Sequence, residues 1–443
     1  PSLAQALSSV DAAVRHADAE LSPELEARVL LTRSALLEQM GRPAESLGSV
    51  KLAADRAQAA GEPELIARAT DAKGRAWLAL GSWREARAAL EIAATAYAEL
   101  GMPGHEARAR IALADTWFYV DDLPASQALY ERALASAEAA GDRSVLGAAS
   151  SRLAIVEMEL GRTGAAFERF QAAIEIQKSL GDRTAEASAS TYLAILEHDM
   201  GMLDVARARL ETVVVVTREL GSRKAFGIAS LYLGAVLVEV GDEAEARIAL
   251  DAAERTLGEV AAVSAQAYAR GWSAALAARA GDIEAAVQGF ELARGHFRAR
   301  KEQSFYATAV ELLAGHLDLA RAAASGADEL AAGAHRTAAR RRLVSGSAGG
   351  GQSDVRIARR LLSTSLGMTP TPRPIDMKVV DQGRQGALIV EEAGAWFRAP
   401  GGAIVDLSRR APLKKLLAML LEARLREPGK PIATIDLMHA VWT

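Results

Sequence analysis

The chain of 443 residues has no cysteine, which excludes disulfides, thiolate nucleophiles and Cys-ligated metals and fits a reducing compartment. Aromatic residues are scarce at 5%. Much of the apolar half of the sequence is alanine, which favours helices and close helix packing. No apolar run approaches the roughly 20 residues of a membrane helix, and no secretory leader opens the chain, so a cytoplasmic location is expected and a membrane partner is not. Net charge is nearly absent at −4, which does not point to nucleic acid as the main partner. No Walker loop, dinucleotide glycine fingerprint, HExxH or G-x-S-x-G elbow occurs. The seven histidines are scattered. The expectation is a non-enzyme without catalytic residues, metal or cofactor.

The charge is unevenly spread. Residues 321–443 hold 19 Lys/Arg against 11 Asp/Glu, a net of +8, which leaves −12 on residues 1–320. An acidic front and a basic tail imply two parts with different tasks.

The front is periodic. Glycine stands at 41, 81, 161, 201, 241 and 281, with Asp121 in the one gap, and a second series at 61, 101, 141, 181 and 221 lies halfway between. Two punctuators per 40 residues leave two helical segments, so the unit is a helix hairpin. Five residues after the first glycine come small residues, Ser46 and Ala86 through Ala286. Nine after it come Val50, Leu90, Tyr130, Phe170, Leu210, Leu250 and Phe290, and twelve after it Ala53 through Ala293, with Val213 once. Seven before it stand Ser34, Gly74, Ala114, Ala154, Ala194, Gly234 and Ala274. Small residues let paired helices approach, and larger ones fill the space between hairpins that must stack to bury their apolar faces.

This register resembles the tetratricopeptide repeat family, in its longer 40-residue variety found in LGN/Pins-type scaffolds and MalT-like bacterial regulators. The resemblance covers about residues 1–325, departing at Ala261, where the second glycine is missing. It implies an all-α fold, a right-handed superhelical solenoid of helix hairpins, over residues 1–344 in about eight units. Residues 1–20 fit the second helix of a hairpin through Ala6, Val10 and Ala13, so the solenoid is expected to start in mid-repeat and the chain to be a piece of a longer protein. A degenerate eighth unit is expected from about Gln303 to Leu343, broken near Gly326.

Residues 345–385 read as a flexible basic and Pro/Gly-containing linker, from SGSAGGGQ (345–352) and TPTPRP (369–374). Arg340, Arg341, Arg342, Arg356, Arg359 and Arg360 bracket its start. Beyond it, GALIVEEAG, AWFRAPGG and AIVDLSRR read as three short strands, followed by two helices over PLKKLLAMLLEARL and TIDLMHAVW. Residues 386–443 thus resemble an incomplete α+β winged helix of the OmpR/PhoB type, carried by Val405, Asp406, Leu407, Arg409, Leu413 and the Val441-Trp442 pair. DNA binding is expected only of a longer chain that includes the recognition helix.

Three 40-spaced series are candidate ligand-binding positions, because the family's first helices line the concave face. Arg28, Arg68 and Arg108 could clamp a carboxylate or phosphate, or simply pair with neighbours such as Glu26 and Glu106. Glu159, Asp199 and Glu239, with His198 close by, could receive a basic peptide, or form a solvated acidic face. Tyr192, Tyr232 and Trp272 could form a stacked platform, or be core between hairpins. A metal at His198 and Asp199 is not expected, since adjacent residues on a helix diverge. The resulting expectation is a protein-, peptide- or ligand-binding sensor region of a multidomain bacterial regulator. A constitutive scaffold, and a DNA-binding regulator that oligomerises through the repeats, are the alternatives. Self-association is left open.

Overall fold

The computed structural model describes residues 3–17, 22–260, 262–300, 305–345 and 352–368, together with three short strands within 389–406. The chain forms two compact units, Pro1–Pro374 and Ile375–Thr443.

The first unit is helical. A single helix α1 (Leu3–Ala17) precedes seven hairpins: α2 (Pro23–Gln39) with α3 (Pro43–Ala60), α4 (Pro63–Ala79) with α5 (Trp83–Glu99), α6 (Pro103–Phe118) with α7 (Leu123–Ala140), and α8 (Arg143–Glu159) with α9 (Thr163–Leu180). The series continues with α10 (Arg183–Asp199) and α11 (Leu203–Glu219), α12 (Arg223–Val240) and α13 (Glu243–Glu259), and α14 (Val263–Arg279) and α15 (Ile283–Arg300). Local chemistry sets the ends. Pro23, Pro43, Pro63 and Pro103 open their helices, where a missing N–H removes no helical bond. Asp122, Asp142 and Asp182 cap theirs by accepting a backbone N–H at 3.0–3.1 Å.

The turns explain the glycine series. Gly41 has φ +69°; its amide donates to the Glu38 carbonyl and the Arg42 amide to the Leu37 carbonyl, which closes the helix end. At the gap in the series, Asp121 adopts φ +64°, the sole positive φ outside glycine among the described residues. Aspartate tolerates that left-handed conformation better than most side chains.

The hairpin register packs as the offsets require. Every small residue five after the turn is fully buried, and the larger residues from Val50 to Phe290 are at most 1% exposed. A Cβ on Gly74 would lie 2.5 Å from Leu90 Cγ, and one on Gly234 2.6 Å from Leu250 Cγ. These glycines are therefore demanded by the partner helix and not by a turn. At the start, the buried side chain of α1 is Leu7, whereas Ala13 is exposed.

Beyond α15 the register degenerates into α16 (Phe305–Leu313), α17 (Gly315–Ala324) and α18 (Glu329–Ser345), with Gly326 at φ +56° between the last two. The following segment corrects the flexible-linker expectation for 345–385. Ser345 is still helical, and a further helix α19 spans Ser353–Ser365 within that range. Val355, Ile357, Ala358, Leu361 and Leu362 are all at most 2% exposed, and α19 packs against α10 and α16. Burying such a stripe stabilises by about 1.5–3 kcal/mol per large side chain, enough to hold a short helix that glycines flank in sequence. Arg342 is also held, by Asp318 and Glu311, each at 2.7 Å.

In the second unit, β1 (Ile389–Val390), β2 (Trp396–Arg398) and β3 (Ile404–Asp406) form an antiparallel sheet in that order, with Val390 opposite Phe397 and Phe397 opposite Val405. They fall within the three segments read as strands. Ala261, the two expected C-terminal helices and the rest of the expected winged helix lie outside the described residues.

Candidate functional site

The even-numbered helices α8, α10 and α12 end at Glu159, Asp199 and next to Glu239, so one period of 40 puts three carboxylates at equivalent helix ends. The structure brings this series together around α19. Ser353 donates its backbone N–H and its hydroxyl to Glu159, both at 2.8 Å. Arg356 forks onto Asp199 at 2.6–3.0 Å, and Arg360 onto Glu239 at 2.7 and 2.8 Å. Upstream, the Gln352 amide donates to Asp121 at 2.9 Å.

Each arginine also reaches helix-end carbonyls. Arg356 donates to the carbonyls of Met158 and Glu159 at 3.1 and 3.4 Å. Arg360 donates to those of His198 and Asp199, both at 2.7 Å. The last carbonyls of a helix lack full intrahelical partners and carry its negative dipole end. A guanidinium suits this task, because its planar fork can take a carboxylate and neighbouring carbonyls together. Arg356 therefore joins the ends of α8 and α10, and Arg360 joins those of α10 and α12. Four residues along α19 advance about 6 Å, while packed helices stand about 8–10 Å apart. Long arginine side chains span the difference.

The electrostatics follow the burial. Glu239 is penalised by burial, but bonds from Arg360 and His198 pull it down to about 2. His198 is fully buried, and burial lowers it despite Glu239 at 2.8 Å from its Nε2, so the ring is neutral and Nε2–H donates. Burial raises Glu159 against the pull of Arg356. Asp354, accepting from the Tyr232 hydroxyl at 3.0 and 3.2 Å, is pushed up to about 7 by burial and then by Glu159. No group of three or more His, Cys, Asp or Glu able to hold a metal occurs among the described residues.

The other two series behave differently. Arg28, Arg68 and Arg108 lie at equivalent places on α2, α4 and α6, 44–47% exposed. Arg28 pairs with Glu24 and with Glu62 of the next hairpin, Arg68 with Glu64, and Arg108 with Asp142 of the next hairpin. Glu26 and Glu106 instead serve Arg56 and Arg110. The arginine series is thus neutralised by its own repeats. In the aromatic series, Trp272 is fully buried, edge-on to Tyr268 at 6.2 Å, and so is core. Tyr232 is buried but turns its hydroxyl onto α19. Tyr192 is half-buried and stacks on Phe170 at 6.4 Å.

The 40-residue spacing in the sequence shows the acidic series but not the helix that covers it. The signal was present in SDVRIARRLLSTS: apolar residues at 355, 358, 361 and 362, with Arg356 and Arg360 four apart.

Residues 145–219 match the tetratricopeptide repeat family. No curated protein matches the chain. Among solved structures, a Rap protein complexed with competence and sporulation factor is similar in fold, at TM-score 0.53 and 14% identity over 78% of this chain and 99% of that one. Apo RapI gives 0.51 and 10% over 62% and 99%. Aspartyl phosphate phosphatase F from Bacillus subtilis gives 0.51 and 13% over 77% and 89%. The likeness shows a fold of stacked tetratricopeptide-type hairpins.

Proposed function

We propose that the solenoid is a non-catalytic, cytoplasmic peptide- or protein-binding sensor region of a bacterial signalling regulator, and that its groove takes a helical segment with arginines four residues apart. The observation that carries this reading is the seating of α19. Two guanidinium forks and one buried apolar stripe occupy a face whose carboxylates recur every 40 residues. In this reading α19 is an internal ligand. A partner helix of the same pattern competes for its place and shifts the population toward an open groove.

The test uses a fluorescein-labelled peptide of residues 352–366 and anisotropy. The wild-type chain, its groove filled, takes the peptide weakly. Arg356→Ala/Arg360→Ala weakens the internal helix and binds the peptide more tightly, by about tenfold or more. Adding Glu239→Gln to that variant removes most of the gain. Equal, negligible binding by wild type and double variant sinks the reading.

The antiparallel strands β1–β3 favour a transcription regulator, since a winged-helix segment would begin there. A longer chain that includes the expected recognition helix should then retard duplex DNA at low salt; no retardation removes that part of the proposal.

A further inference from the structure

Beside the first turn of α19 lies a cavity of about 440 Å³, within the range that accommodates drug-sized ligands. Its walls come from α6, α7, α8, α10, α12, α14 and α16, and Ser353 and Asp354 form one edge. Seven of its lining residues carry rings, among them Phe118, Tyr119, Tyr192 and Tyr306, so the walls suit a flat apolar body.

The lining carries two carboxylates and two cations, which differ in how their hydrogen-bonding capacity is used. Its two carboxylates are already engaged: both oxygens of Glu159 accept from Ser353, and both of Asp354 accept from Tyr232. Its two cations are not matched in the same way. Arg152 is held chiefly by attraction to Asp115, yet at 3.8 Å that pair leaves most of its five donors uncommitted, and the same carboxylate also accepts the Tyr130 hydroxyl. Lys224 stands exposed at the rim. An anion satisfies this lining, and a cation does not.

We propose that the cavity is a small-molecule site for an aromatic carboxylate, its rings among the tyrosines and its carboxylate on Arg152 and Lys224. The site is separate from the groove contacts of Arg356 and Arg360 but shares the edge formed by Ser353 and Asp354. A bound ligand therefore also reinforces the seating of α19.

Titration calorimetry of the full chain with three probes of one body tests this: 2-naphthoate, 2-naphthylmethanol and 2-naphthylmethylammonium. Naphthoate binds, the alcohol binds about tenfold more weakly, and the ammonium gives no saturable heat. Arg152→Ala lowers naphthoate affinity about tenfold, and Arg152→Lys restores part of it, because charge returns without the fork. Lys224→Ala, at an exposed position that does not threaten folding, lowers it about threefold. Absence of naphthoate binding overturns the proposal. So does equal binding of all three probes, or naphthoate binding indifferent to both Lys224→Ala and Arg152→Lys. The labelled-peptide assay reads the groove separately, so failure of one site is distinguishable from failure of the other.

Discussion

Two charged series run through the same solenoid at the same spacing and come to opposite ends. Arg28, Arg68 and Arg108 sit near the starts of α2, α4 and α6, close to carboxylates of their own or neighbouring hairpins, and nearly half exposed. Glu159, Asp199 and Glu239 sit at the ends of α8, α10 and α12, where α19 covers them. Repetition makes positions equivalent within a series, but it does not make a series a site. The difference lies in what surrounds each row. Opposite charges one helical turn away or at the start of the next hairpin neutralise the arginines, whereas carboxylates beside the negative ends of helices attract a cation from elsewhere in the chain.

Substitutions on the two rows sharpen that contrast. The largest effect is expected from Arg356→Ala, which removes the guanidinium fork from Asp199, only 2% exposed at its side chain. Breaking such a buried pair costs about 3–5 kcal/mol, and hydrogen exchange of the α19 amides should lose protection to match. Protection equal to wild type would mean that the fork contributes nothing. Glu239→Gln removes the charge shared by Arg360 and His198 and is expected to cost about 1–3 kcal/mol, read from the same amides.

A third test uses pH. Docked Asp354 holds its proton up to about 7, against an ordinary 3.8, so as pH rises through that window only the undocked form ionises and seating weakens. The groups facing Asp354 are Glu159, Tyr192, Tyr232, Tyr268, Tyr306 and Arg356. Between pH 4 and 7, α19 protection should fall by about tenfold or more relative to Asp354→Asn and change no further above that. A difference that stays flat across the window contradicts this. The smallest effects belong to the other row. Arg28→Ala, Arg68→Ala and Arg108→Ala should each change stability by less than about 0.5 kcal/mol in thermal unfolding. A larger loss at any of them would erase the distinction between the two series.

Much of the solenoid was legible because its determinants are local or periodic. Gly41, Gly61 and their equivalents mark left-handed turns, and Val50 to Phe290 mark the inter-hairpin core. The acidic row was legible for the same reason. The occupant was not, because Arg356 lies 157 residues from Asp199 and no period links them. Gly349 to Gly351 beside the segment argued for a loop, and only the buried face available on α10 and α16 makes its apolar stripe favourable. The aromatic series shows a subtler limit. Trp272, Tyr232 and Tyr192 share a register, yet one is core, one bonds to α19 and one lines a cavity, because the repeats on either side differ.

By itself the sequence determined the helix hairpin, its 40-residue pitch, the turns that end each helix and the rows of like residues that follow. All of these depend on backbone conformation and on neighbours a few residues or one repeat away. Only the tertiary structure decided which row is buried, that the basic segment after α18 is a helix, and that this helix lies across the acidic ends of α8, α10 and α12. Those outcomes depend on desolvation and ion pairing between residues more than a hundred positions apart, where the free energy belongs to the assembled surface and to no single stretch of chain.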